Sequence, residues 1–349
     1  MFNRIRAWRQ LLKLGKSLTR AREAAKFPQA NIVRVFKKEG WFTYLDTPRT
    51  VTELAEKFHY TKLAFLQELV DALLAGKTLK KVEGSKIQTV HPLNDSYNIP
   101  HFFNEGIKAI LETFANAIPD RLRGKYLEFS GGTNLFNWDE ALEGQMYHTF
   151  RDAAFAYSDA INQSGKFLDI GCGNGIETIE IWLRYYHKNY LTTPIKDPVE
   201  IVGMDVDENL LRIAKDEFAF RLQQQLSLGD EEIENLRPYF PKFTKGSITR
   251  VPYADETFDT VYASQILHWT NPKVGISEML RVTRPGGLVF GAQALAPKSN
   301  KYLDFHVRVI EDAHGAFSAQ EFKKWALDAG AKTVAVATPI AVFKIVKKN

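Results

Sequence analysis

One stretch constrains this chain more than any other. Phe167-Leu168-Asp169-Ile170 is a short apolar run that carries an acid. Gly171, Gly173 and Gly175 follow at alternate positions around Cys172 and Asn174, and Ile176 to Leu183 reads as a helix. Strand, glycine loop and helix in that order predict a ligand-binding turn at the carboxyl end of a parallel strand. Glycines there let the backbone bend sharply and let a ligand approach the main chain without meeting a Cβ. The spacing excludes two common loops. A dinucleotide fingerprint needs glycine where Ile176 stands, and a phosphate loop needs a G-K-[ST] that is absent.

The chain has 349 residues, enough for two or three structural units. At 45% hydrophobic residues it has ample material for a core. No apolar run is long enough to span a membrane, and the N-terminus lacks the pattern of a secretory signal. Cys172 is the single cysteine, so no internal disulfide and no thiolate-rich zinc site is expected. These features point to a cytoplasmic protein without a metal centre. The net charge of +5 is unevenly placed: residues 1–26 hold eight cations against Glu23, so they carry +7 and the remainder −2. Residues 2–20 predict a basic amphipathic helix. It is suited to packing on its own domain or across a dimer, or to peripheral contact with an anionic membrane.

A second strand is predicted at Ile201-Val202-Gly203-Met204-Asp205, and an acid at its end can accept hydrogen bonds from two ribose hydroxyls. Lys245-Gly246-Ser247-Ile248 precedes the run from Val251 to Tyr262, and Arg281-Val282-Thr283-Arg284-Pro285-Gly286-Gly287 leads into another strand. The loop Asp169–Gly175 resembles motif I, D/E-x-G-x-G-x-G, of class I S-adenosylmethionine (SAM) dependent methyltransferases. The run 251–262 is similar to the [LV]-P-[FY]-x-D-x-x-F-D-x-V segment of the ubiquinone/menaquinone and sterol type. The 281–287 turn is similar to their R-V-x-[KR]-P-G-G. The resemblance covers about residues 160–346 and implies a Rossmann-like α/β fold with a seven-stranded, mostly parallel sheet whose last strand is antiparallel. It implies SAM as cofactor, held by Asp169, Gly171, Cys172, Gly173, Gly175, Asp205, Val206, Gly246, Ser247, Ile248 and Ser264. Ser247 stands where those enzymes usually carry an acid for the adenine amino group, and it offers a hydrogen bond without charge.

Ahead of that domain, Thr50 and Glu53 predict a capping box, with a helix through Phe58. Thr61 is expected to cap a second helix with Leu63, Leu66, Leu69, Val70, Leu73 and Leu74 on its buried face. A hairpin over 78–82 and 87–90 follows. Helix, helix and hairpin read as a winged helix. The outward positions of the second helix, Lys62, Gln67, Glu68 and Asp71, are poorly suited to a DNA groove. The architecture resembles the dimerisation domain of small-molecule O-methyltransferases, which implies a homodimer and no specific nucleic acid. The predicted units are therefore 1–100, a basic helix plus winged helix; 101–160, a helical bridge or lid; and 161–349, the methyltransferase domain. In the bridge a helix is predicted from His101 until Pro119 ends it, then a loop at 130–134 and a helix over 138–160.

Ile266-Leu267-His268-Trp269 is similar to the L-H-x-W segment that carries the base in winged-helix O-methyltransferases, one position short. That resemblance makes His268 the candidate catalytic base, with ordering of the loop as its alternative role. Candidate acceptor-site residues are Met146, Tyr147, Phe150, Trp269 and His306. The expected reaction is methyl transfer from SAM to a small, hydrophobic or aromatic acceptor, with O-methylation favoured. The alternatives are C-methylation of a quinone or isoprenoid lipid, a SAM-sensing regulator, and a nucleic-acid methyltransferase. The last would commonly show an N-P-P-Y-like motif or a Pro-Cys after the fourth strand, and neither is present.

Overall fold

The computed structural model describes residues 26–93, 95–96, 104–128, 138–162, 164–186, 198–295, 302–337 and 342–349. The basic helix expected over 2–20, residues 101–103 and the 130–134 loop lie outside them.

Apolar spacing and caps set the N-terminal elements. Helices α1 (Lys26–Lys38) and α2 (Trp41–Tyr44) precede α3 (Val51–Phe58) and α4 (Leu63–Ala75). The Thr50 hydroxyl accepts from the Glu53 N–H, and the Glu53 carboxylate accepts from the Thr50 N–H, so α3 starts on the predicted capping box. Such a cap stabilises a helix by about 1 kcal/mol. His59 closes it in the left-handed conformation, φ 58°. α4 begins without a side-chain cap, because Lys62 rather than Thr61 occupies the capping position. Strands β1 (Leu79–Val82) and β2 (Lys86–Thr89) form the antiparallel hairpin.

The bridge departs from expectation in two places. Helix α5 (Glu105–Leu122) starts at an Asn104 cap and runs through Pro119 for one more turn. Pro119 and Ile118 are buried there, and apolar packing holds the last turn although proline supplies no N–H. The long helix expected over 138–160 is two, α6 (Trp138–Leu142) and α7 (Gln145–Ser158), broken at Gly144. A Cβ at Gly144 would lie 2.6 Å from Asn104 Nδ2.

The remaining chain alternates strands and helices: β3 (Lys166–Ile170), α8 (Ile176–Tyr186), β4 (Glu200–Asp205), α9 (Glu208–Leu226), α10 (Asp230–Leu236), β5 (Lys242–Lys245), β6 (Phe258–Ser264), α11 (Pro272–Val282), β7 (Thr283–Ala292), α12 (Tyr302–Val307), α13 (Ala319–Asp328), β8 (Ala331–Ala337) and β9 (Val342–Lys347). They build a seven-stranded sheet in the order β5-β4-β3-β6-β7-β9-β8, in which β9 runs antiparallel to both neighbours. Leu168 pairs across to Val202 and Val261, all three buried. A parallel strand covered on both faces has to be apolar in this way. Cores lie on either side of the sheet, one around Trp182 and Phe290 and the other around Val261 and Phe343.

Strand order reverses at β3. From it the chain goes outward through β4 and β5, then returns to the other side with β6 and β7. The crevice at the carboxyl ends of β3 and β6 is therefore the topological switch point, where open α/β sheets bind ligands. Among the described residues no helix is long and apolar enough to cross a membrane.

Candidate functional site

β3 delivers the glycine loop into that crevice. Gly171 has φ +76°, and a Cβ there would come within 2.2 Å of Ile266 Cδ1. Gly173 has φ +54°, with open space where its Cβ would stand. Backbone bonds tie the loop to β4: the N–H groups of Gly171 and Cys172 both donate to Met204 O, at 2.7 and 3.1 Å. That stitching brings Asp205 beside the loop. Its Oδ2 accepts from the Gly173 N–H and its Oδ1 from the Asp207 N–H, each at 3.0 Å. Burial raises the pKa of Asp205, while these backbone donors act to lower it.

Asp169 lies beneath the loop, 1% exposed, and accepts from the Thr178 hydroxyl at 2.7 Å. Burial raises its pKa to about 8, and Glu177 adds repulsion. Glu177 is itself paired at 3.2 Å with Arg151 of α7, whose side chain is 1% exposed. Arg151 also reaches His148 Nδ1 at 3.1 Å and Leu142 O at 3.4 Å. Breaking such a buried pair leaves an uncompensated charge and costs roughly 3–5 kcal/mol.

A cavity of about 660 Å³ opens above the loop. Gly171, Cys172, Gly173, Asp205, Val206, Gly246, Ser247, Ile248 and Ser264 line it, as expected for one ligand, and Tyr147, His268 and Trp269 line the same space. Of the other expected residues, Asp169 and Gly175 support the loop from below or behind. Met146 packs on the N-terminal core and Phe150 on the core around Trp182. His306 is wholly buried, with Nδ1 2.8 Å from Tyr302 O, and burial lowers its pKa to about 4. None of these three lines the cavity. Their helical spacing is that of core, and the register of α7 turns only Tyr147 of its trio toward the crevice.

The residues around the cavity suit SAM. Asn174 Oδ1 and Gln265 Nε2 are buried without a hydrogen-bond partner, and both residues line the space. Asp205, the open backbone at Gly173 and these orphaned atoms offer the acceptors and donors that ribose hydroxyls and an amino acid moiety require. Ser247 is engaged locally, 2.8 Å from the Thr249 hydroxyl and accepting from the Thr249 N–H at 3.2 Å.

His268 sits in a single 3-10 turn, Leu267–Trp269, after β6 and is 8% exposed. Its Nδ1 lies 2.7 Å from Gln293 Nε2, and Gln293 Oε1 accepts from the Leu267 N–H at 3.1 Å. Burial lowers the pKa of His268 to about 3. Gln265, at the lip of the cavity, holds φ +51°, an uncommon conformation for a residue with a side chain. Sequence reasoning missed Arg151, Glu177 and Gln293. The one available signal was a charge or amide in otherwise apolar surroundings.

Comparison with known proteins agrees with this geometry. Residues 168–291 match the methyltransferase domain family. An uncharacterized methyltransferase of Schizosaccharomyces pombe is 27% identical over 179 residues, covering 48% of this chain and 57% of that protein. The ubiquinone/menaquinone biosynthesis C-methyltransferase UbiE of Geobacter sulfurreducens is 28% identical over 164 residues, covering 45% and 54%. The chain thus spans about half the length of the curated relatives it matches. Among solved structures, the DszA carbon methyltransferase superposes with a TM-score of 0.64 at 13% identity, covering 98% of this chain and 93% of that one. An O-methyltransferase family 2 protein from Planctomyces limnophilus, in complex with apigenin, gives 0.50 at 17% identity over 95% and 94%. Those two likenesses speak to the fold. The matched domain and the relatives by sequence, together with the ordered motifs, support a class I SAM-dependent methyltransferase domain around residues 168–291.

Proposed function

We propose that this protein transfers a methyl group from SAM to a small apolar acceptor bearing an ionisable oxygen, such as a phenol or quinol. One observation carries the reading: nine of the eleven expected cofactor residues, all but Asp169 and Gly175, face a single cavity together with Tyr147, Ile266, His268 and Trp269. Its volume of about 660 Å³ is in the range of small-molecule sites, roughly 300–1,000 Å³. Bound SAM supplies an electrophilic methyl on a sulfonium, so no protein nucleophile is needed. The chain's own work is positioning. Asp205, held by two backbone donors, presents its carboxylate to ribose hydroxyls. The glycine loop passes the methionine moiety without side-chain obstruction. Trp269 packs edge-on against Phe114 of α5, with ring centroids 5.6 Å apart, and so joins the acceptor end of the cavity to the N-terminal half. An apolar wall on that side selects an apolar acceptor and keeps water from the reacting atoms.

Transfer to carbon is the second reading. Two carbon methyltransferases, DszA and CurJ, superpose along nearly the whole chain, with TM-scores of 0.64 and 0.63. UbiE, a relative by sequence, is a C-methyltransferase by name. The test is incubation of the full-length protein with methyl-13C SAM and a panel of phenols and quinols. A labelled methoxy signal in the product supports oxygen transfer, and a labelled methyl on carbon supports the second reading. SAM binding with no incorporation into any member of the panel would contradict this acceptor class.

A further inference from the structure

His268 lines the acceptor end of the cavity, and Gln293 holds its ring from behind. The orientation of Gln293 is decided by a group whose chemistry is unambiguous. The Leu267 backbone N–H can only donate, and it donates to Oε1 at 3.1 Å. Leu267 is fully buried and Gln293 is 1% exposed, so water does not offer an alternative partner. Turning the amide over would set two donors face to face. With Oε1 engaged, Nε2 is the end that meets His268 Nδ1 at 2.7 Å. Its second hydrogen has the Ala294 carbonyl at 3.5 Å. An amide nitrogen donates and does not accept, so Nδ1 of His268 must be the acceptor and carry no proton. A neutral ring held this way keeps its hydrogen on Nε2, the nitrogen left to the cavity.

We propose that His268 is a neutral imidazole that donates its Nε2–H to an oxygen of the methyl acceptor, and that Gln293 is the positioning residue that holds this tautomer. The proposal rests on the methyl-transfer reading and names the acceptor class more closely. A ring in this state has no lone pair at Nε2 with which to take a hydroxyl proton. The acceptor therefore arrives already ionised, as a phenolate or an enolate. Its own electron pair forms the bond to the methyl carbon, and the pair of the methyl–sulfur bond leaves with sulfur. No proton moves in that step, and His268 keeps its hydrogen throughout. The role of the ring is to place the anionic oxygen and to balance its charge with a directed donor.

The test reads the ring directly. Full-length protein labelled with 15N-histidine, with SAM present, is examined at neutral pH by long-range 1H–15N correlation, and His268 is assigned among the eight histidines by its loss in His268→Gln. The expected pattern has Nδ1 unprotonated and Nε2 protonated. A wild-type ring with Nδ1–H, or a doubly protonated ring, would overturn the proposal. In Gln293→Glu the carboxylate can only accept, so the tautomer should reverse to Nδ1–H. An unreversed ring would remove Gln293 from its positioning role. In the incorporation assay, His268→Gln, which still offers an N–H, should turn over at least about tenfold faster than His268→Ala. Equal rates would defeat the donor role. Calorimetry with SAM separates the two levels: absence of binding would sink the methyltransferase reading and leave the tautomer result standing.

Discussion

Asp169 shows how burial converts a carboxylate at the end of a strand into a pH-sensitive group. Its carboxyl is raised to about 8, by desolvation first and by Glu177 second, from the ordinary carboxylate value of 3.8. Between those two values the folded chain holds a proton that the unfolded chain has released. The contribution to stability is therefore fully present below the unfolded value and is lost as pH rises through about 8. Asp169→Asn stays neutral, so the fall in Tm of the wild type from about pH 6.5 to about pH 8.5 should flatten in the variant. Parallel Tm profiles for the two proteins would show that Asp169 is ionised in the fold. Asp169, Asp205 and the glycines were legible as residues because motif spacing and strand ends mark them. Arg151, Glu177 and Gln293 were not. Each takes its meaning from a partner brought close by the fold: Arg151 and Glu177 lie 26 positions apart, and Gln293 and His268 lie 25 apart across two neighbouring strands. Periodicity reports which face a residue occupies and says nothing of what it will meet there.

At the scale of elements, local chemistry was the readable part. Thr50 with Glu53 is a capping box in the sequence and in the structure, and Ser318 with Glu321 forms a second one in the structure. Thr50→Ala removes the side-chain acceptor for the Glu53 N–H and should cost about 1 kcal/mol. In a chain this long that corresponds to a Tm lower by about 1–3 °C, measurable by calorimetry. No change would mean that α3 is held by its buried Leu54 and Ala55 alone. The strands β3, β4 and β6 were legible because both of their faces are covered and the runs are apolar. β5 was not. Its sequence, Lys242 to Lys245, sets Phe243 and Thr244 between two cations, and none of its residues is fully buried. An edge strand of this kind is specified by the register of its neighbour, Val202 opposite Lys242, more than by its own composition. The extra turn of α5 past Pro119 is a similar case, since packing on Ile118 and Leu122 outweighs the local signal to stop.

At the scale of the molecule, the N-terminal helices and the sheet domain share a core. Tyr302 and Phe305 of α12 belong to the cluster built on Trp41, Phe36 and Leu69. The Tyr302 hydroxyl donates to Ala72 O at 2.8 Å, and Arg308 pairs with Glu68 of α4 at 2.6 Å. Glu68 was read from sequence as an outward position of a helix poorly suited to DNA. In the fold it faces an arginine of the other half. The cavity thus has a base made by β3, β4 and β6 and a side reached by α5 through Trp269. The central claim is that this cavity binds SAM through the glycine loop and Asp205. Calorimetric titration of SAM into the wild type and Asp205→Ala tests it most directly. The wild type should bind at one site, and the variant should lose roughly 2–4 kcal/mol, about 30- to 1,000-fold in Kd, for two hydrogen bonds to a charged group less their replacement by solvent. No saturable binding to the wild type, or the same Kd in both proteins, would contradict it.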